Sequence, residues 1–137
     1  MLYCLKRILD PCKEHVDNNF NPIQKACIDE FLPIRQELCN LMERTCKAID
    51  SNDYTDADDI LKKGDDLKNK ISFLRKEQMN RMQESANATL KASLVYLNIL
   101  QETQELVSIW RHLLRASRFF QADYVSPQDA QVLSLEE

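Results

Sequence analysis

The chain has 137 residues, a net charge of −4, 44% hydrophobic and 29% charged residues, which describes one ordinary domain able to bury its own core and excludes a disordered or membranous chain. One glycine and four prolines are too few turn formers for a β-sandwich or barrel. The acidic surplus argues against wholesale nucleic-acid binding, which requires cations to neutralise phosphates.

Residues 2–18 read as a first helix, interrupted at Asp10-Pro11. Either Asp10 caps and Pro11 opens a fresh helix, or one helix continues through with a kink. "NNFNP" breaks the chain, because Asn and Pro favour turns. A second helix runs from about Ile23 to Asp50. Its seam is Cys27, Phe31, Ile34, Leu38, Leu41, Thr45 and Ala48, spaced by fours and threes, with Pro33 bending the early part. After "SNDY", Thr55 is expected to cap a third helix, and Asp56, Asp58 and Asp59 suit the positive end of its macrodipole. The third seam is Ile60, Gly64, Leu67, Ile71, Leu74, Gln78 and Met82, ending near residue 86. Asn87 can cap a fourth and longest helix, Ala88 to Gln121. Ser126-Pro127 breaks the chain beyond it, and residues 125–137 are expected to form a flexible tail. The expectation is an all-α fold: over residues 1–124, an antiparallel up-down bundle of three long helices plus a shorter N-terminal helix.

The fourth helix carries two stripes. One is Leu90, Leu94, Leu97, Gln101, Gln104, Ser108, Arg111 and Arg115; the other is Val95, Ile99, Thr103, Leu106, Trp110, Leu113, Ser117 and Phe120. Both are apolar in the first half, which is therefore expected to be broadly buried. In the second half only the second stripe stays apolar. Either the first stripe emerges into solvent, or Gln101 and Gln104 line a polar pocket and need hydrogen-bond partners. Arg111, Arg115 and Arg118 share a face beside His112, and could hold an anion such as phosphate, or face a membrane. They could equally pair with the third helix. A hairpin centred on residue 87 sets Arg115 near Asp59 and Arg118 near Asp56.

Cys4, Cys12, Cys27, Cys39 and Cys46 are odd in number and form no CxxC pair, so they read as small apolar residues in a reducing compartment. His15 and His112 are too few for a zinc site. "NDYTDADDILKKGDD" is not a calcium loop: counting from Asp53, Asp58 stands where a glycine is needed and Gly64 where a glutamate is. No GxSxG, P-loop or HExxH occurs, and the expectation is no enzyme, no cofactor and no metal. No apolar run reaches the ~20 residues of a membrane span. "MLYCLKRILDP" is too short in apolar core for a signal peptide. A cytosolic chain is expected, one that could be excised from something larger.

Two stretches resemble PhoU-like domains, as found at the cytoplasmic C-termini of bacterial sodium/phosphate transporters. They are "AIDSNDYTDADDILKKGDDLKNKISFLRKEQMNRMQ" and "SLVYLNILQETQELVSIWRHLLRA", and "HVDNN" near the N-terminus is similar to a stretch preceding that domain. The resemblance spans roughly residues 12–121. It implies an antiparallel bundle that modulates phosphate uptake without catalysis, placed at the inner face of the cell membrane. Its partner would be a membrane-embedded phosphate transporter, in cis or in trans, and a homodimer is possible. In that family, carboxylates spaced i, i+4 on this helix bind a metal cluster. Their positions fall here on Gln104 and Ser108, with Gln101 on the same face, and neutral groups are poor substitutes for such ligands. Glu102 and Glu105 are rotated off that face. Contact residues would be Arg111, His112, Arg115 and Arg118, or apolar residues such as Trp110 and Phe119. The alternative is a free-standing adaptor that binds a partner helix or self-associates, which requires an exposed apolar strip.

Overall fold

A computed structural model describes the backbone of residues 2–18, 22–84 and 90–124. Four helices account for them: α1, Leu2–Asp17; α2, Lys25–Ser51; α3, Ala57–Glu84; and α4, Leu90–Tyr124. The fold is all-α. The expected tail and the Asn87 cap lie outside the described residues.

The spacing of apolar residues builds α2 and α3. On α2, Cys27, Ile34, Leu41, Thr45 and Ala48 are buried, and Phe31 and Leu38 are half-buried against the core. On α3, Ile60, Leu67 and Ile71 are buried, and Gln78 shares that face. Tyr96, Leu100, Val107 and Leu114 of α4 close the same core. α3 packs on α4 and α2, α2 also reaches α4, and among the described residues α1 packs on α4 alone. Three pairs run α2 against α3: Arg44–Asp59 at 2.9 Å, Lys70–Glu37 at 2.5 Å and Arg81–Glu30 at 2.6 Å. As α2 ascends, its partners on α3 descend, so the two helices are antiparallel. α4 runs antiparallel to α3 by the same test, through Asp58–Arg118 and Asp65–Arg111.

Pro11 does not restart α1; the helix continues through it. Proline has no N–H, so the Arg7 carbonyl one turn earlier loses its helical donor. The Asn98 side-chain amide of α4 donates to that carbonyl instead, at 3.1 Å. A proline in one helix thus accounts for an asparagine on its neighbour.

The α2–α3 turn corrects the cap assigned to Thr55. Asn52 ends α2 in the left-handed conformation, at φ 55°, one of the few non-glycine residues suited to it. Its N–H donates to the Ile49 carbonyl, and that of Asp53 to the Ala48 carbonyl, the paired bonds of a Schellman end. Asp53 then accepts from both the N–H and the hydroxyl of Thr55. With its hydroxyl spent backwards on Asp53, Thr55 stands outside α3, which starts at Ala57.

The outer half of α4 also departs from expectation. Leu90 and Leu94 are 45% and 51% exposed, so the first half is not broadly buried. The core line is Tyr96, Leu100, Val107 and Leu114, which lies between the two stripes traced from sequence. α4 touches three helices, and a wheel with apolar residues on most sides does not show which neighbour takes which face.

Candidate functional site

The polar seam lies between α3 and α4 in part only. Gln104 is the residue that enters it. Its amide nitrogen donates to the Ser72 hydroxyl at 2.7 Å, and its carbonyl accepts from Arg75 at 2.9 Å. Both ends of the amide are therefore engaged across the helix interface. Ser108 turns back on its own helix and donates to the main-chain carbonyl of Gln104 at 3.1 Å. Gln101 bonds Glu105 along α4 at 3.2 Å. The three positions that the resemblance assigns to a metal face hence point to different partners. Among the described residues, no group of three or more His, Cys, Asp or Glu is placed to hold a metal ion.

The arginines divide the same way. Arg111 pairs with Asp65 at 2.6 Å and Arg118 with Asp58 at 2.7 Å. Arg118 meets Asp58 rather than Asp56, because a long helical side chain leans toward its own N-terminus, here toward higher numbers on α3. Asp56 and Asp59 are instead taken by Arg44 of α2, and Asp59 also by Lys63. Arg115 and His112 are exposed, and Arg115 makes no ion pair among the described residues. Gly64 lies beneath the Arg111 stem: a β-carbon there would fall 2.8 Å from Cδ. The single glycine of the chain lets this arginine cross α3 closely. Trp110 is 7% exposed, so it belongs to the interior and is unavailable as the expected surface contact. Phe119 is 65% exposed.

Sequence reasoning assigned no site to two further polar groups that contain buried side chains. Glu102 is 0% exposed, on the side of α4 that meets α1. Arg7 Nη2 lies 2.5 Å from its carboxylate, yet off the line of a hydrogen bond, so neither oxygen has an aligned donor among the described residues. The Arg7 guanidinium also sits 5.7 Å from the Tyr3 ring centre, a cation–π contact. The legible signal was an acid inside the otherwise apolar line Val95, Ile99, Glu102 and Leu106.

The second group joins α2, α3 and α4 at the opposite end of α3. Arg81 grips Glu30 with both nitrogens, at 2.6 and 3.1 Å, and also reaches Gln78. The buried Cys27 thiol faces Gln78 at 3.7 Å. Burial, then the nearby Glu30 carboxylate, pushes the Cys27 thiol above its ordinary value. The same two causes push the Tyr96 phenol far above its ordinary range. Both groups stay neutral, and the charges belong to Glu30 and Arg81.

The outer side of α1 has another character. Leu2, Leu5, Leu9 and Val16 are 84%, 39%, 64% and 71% exposed. With Cys12 they recur by threes and fours, the spacing of a helix-pairing seam. His15, on a different side of α1, is buried. Thus α1 packs one side on α4 and carries on another an apolar line that has no neighbour among the described residues.

Compared with protein-family models, curated proteins and solved structures, the chain matches none. Among the described residues, no helix is long and apolar enough to cross a membrane.

Proposed function

We propose that the chain is a non-catalytic regulatory domain that acts through helix faces, and that the protein it regulates is a bacterial sodium/phosphate transporter met at the cytoplasmic side of the membrane. The observation that carries the first part is the outward seam of α1. Full burial of a leucine or valine stabilises by about 1.5–3 kcal/mol, and four such residues at helix-pairing spacing suit a second helix. The phosphate part rests on the resemblance of residues 48–83 and 93–116, which form the α3–α4 hairpin. A metal cluster on that hairpin does not fit this chain, since the Gln104 amide is engaged by Ser72 and Arg75 and Ser108 by its own helix. Regulation would therefore run through contact, with Phe119, Arg115 and His112 of α4 available in addition to the α1 seam.

The test is uptake of labelled phosphate by cells carrying the full reading frame, with Leu5→Asp and Leu9→Asp introduced together. The expected result is a change in uptake rate of at least about twofold, at unchanged protein level and helicity. Unchanged uptake would overturn the phosphate assignment. If the charged pair then abolished concentration-dependent self-association in sedimentation, the same seam would support the free-standing adaptor instead.

A further inference from the structure

The α1–α4 junction is built unlike the rest of the bundle. Among the described residues, α1 touches α4 and no other helix. One polar anchor is Arg7, whose carbonyl accepts from Asn98 and whose guanidinium faces Glu102. Asn98 and Glu102 are one turn apart on α4, so the hydrogen bond and the ion pair lie on one line of that helix. Nearer the far end of α1, an open cleft of about 270 Å³ is lined by Pro11, Glu14 and His15 of α1 and Lys91, Leu94 and Val95 of α4. The α2–α3–α4 core closes without α1, on Leu67, Ile71, Leu100 and Leu114, each 0% exposed.

From this we infer that α1 is a separately opening latch, which leaves and rejoins α4 while the other three helices stay folded, with the Arg7–Glu102 pair setting how often it opens. When α1 is seated, Glu102 is desolvated with one off-line counter-charge, a costly state for a carboxylate. When α1 leaves, Glu102, Asn98 and the Arg7 carbonyl all regain water. The penalty thus falls on the closed state and favours opening. The open state presents Val95, Ile99 and Leu106 of α4, and the closed state covers them.

The test is native-state hydrogen exchange on the whole chain near neutral pH. Amides of residues 5–15 are expected to exchange at least about 100-fold faster than those of residues 67–71 and 100–107, as a local opening does. Arg7→Ala strands the buried carboxylate and is expected to raise α1 exchange about tenfold. Glu102→Leu removes the charge and is expected to lower it about tenfold, with α3 amides unmoved in both variants. Exchange of α1 and α3 at one common rate would overturn the latch. So would faster α1 exchange in Glu102→Leu, a variant that keeps the test decisive if Arg7→Ala fails to fold.

Discussion

Gly64 shows how one residue reports on packing. Replacing a helical glycine with alanine ordinarily stabilises by up to ~1 kcal/mol. Here the new methyl meets Arg111 Cδ at 2.8 Å, in the middle of a stem tethered to Asp65, and overpacking costs about 1–3 kcal/mol. Gly64→Ala is therefore expected to destabilise by about 1 kcal/mol in urea unfolding. Adding Arg111→Ala reverses the sign, so that the methyl becomes stabilising; the same loss in both backgrounds would refute the crossing. Asp59 is held below the ordinary carboxylate range by hydrogen bonds from Lys63 and then Arg44, and Asp53 by those from Thr55. A depressed folded-state pKa stabilises fully above the unfolded value of about 4 and is lost as pH falls through the folded value. The thermal midpoint should drop between about pH 5 and pH 2, and Asp59→Asn should remove part of that drop. A drop of equal size in the variant would show that Asp59 contributes nothing. Residue types are legible at this scale, but partners are less so: hairpin numbering sets Arg118 beside Asp56 rather than Asp58, because side-chain lean does not show in numbering.

The elements differ in how far the sequence exposes them. The seams of α2 and α3 are readable because each helix turns one main face to a shared core. The α4 wheel is not, because α4 meets three helices and its core line falls between two plausible stripes. Pro11 leaves two readings open for α1, and what favours continuity is a group on another helix, Asn98. That yields a coupled prediction. Asn98→Ala should speed exchange of α1 amides about fivefold, the equivalent of one hydrogen bond at ~1 kcal/mol. In a Pro11→Ala background, where the new backbone N–H restores the helical donor to the Arg7 carbonyl, Asn98→Ala should have almost no effect. Equal effects in both backgrounds would mean that Asn98 serves some other purpose. The Glu30–Arg81 pair is illegible for another reason: its members are 51 positions apart and only the antiparallel register joins them. Glu30→Ala is expected to cost about 1–2 kcal/mol in unfolding, since it removes a bidentate pair in a partly exposed setting. A loss below ~0.3 kcal/mol would assign the pair to the solvated surface.

At the scale of the molecule, few glycines and long amphipathic runs point directly to antiparallel helices. What they do not reveal is the asymmetry of the assembly, with three helices sharing a core and a fourth held by one neighbour. That asymmetry leaves Leu2, Leu5, Leu9 and Val16 in solvent and makes the outer face of α1 the natural place for a partner. Hydroxyl-radical footprinting tests this most directly, comparing the dilute isolated chain with the chain on membranes from cells expressing the sodium/phosphate transporter proposed as its partner. Oxidation at Leu5, Leu9 and Val16 should be high in the isolated chain and fall severalfold on the membranes, while Leu67, Ile71 and Leu100 stay protected throughout. Seam residues already protected in the dilute chain, or equally oxidised in both settings, would contradict the account.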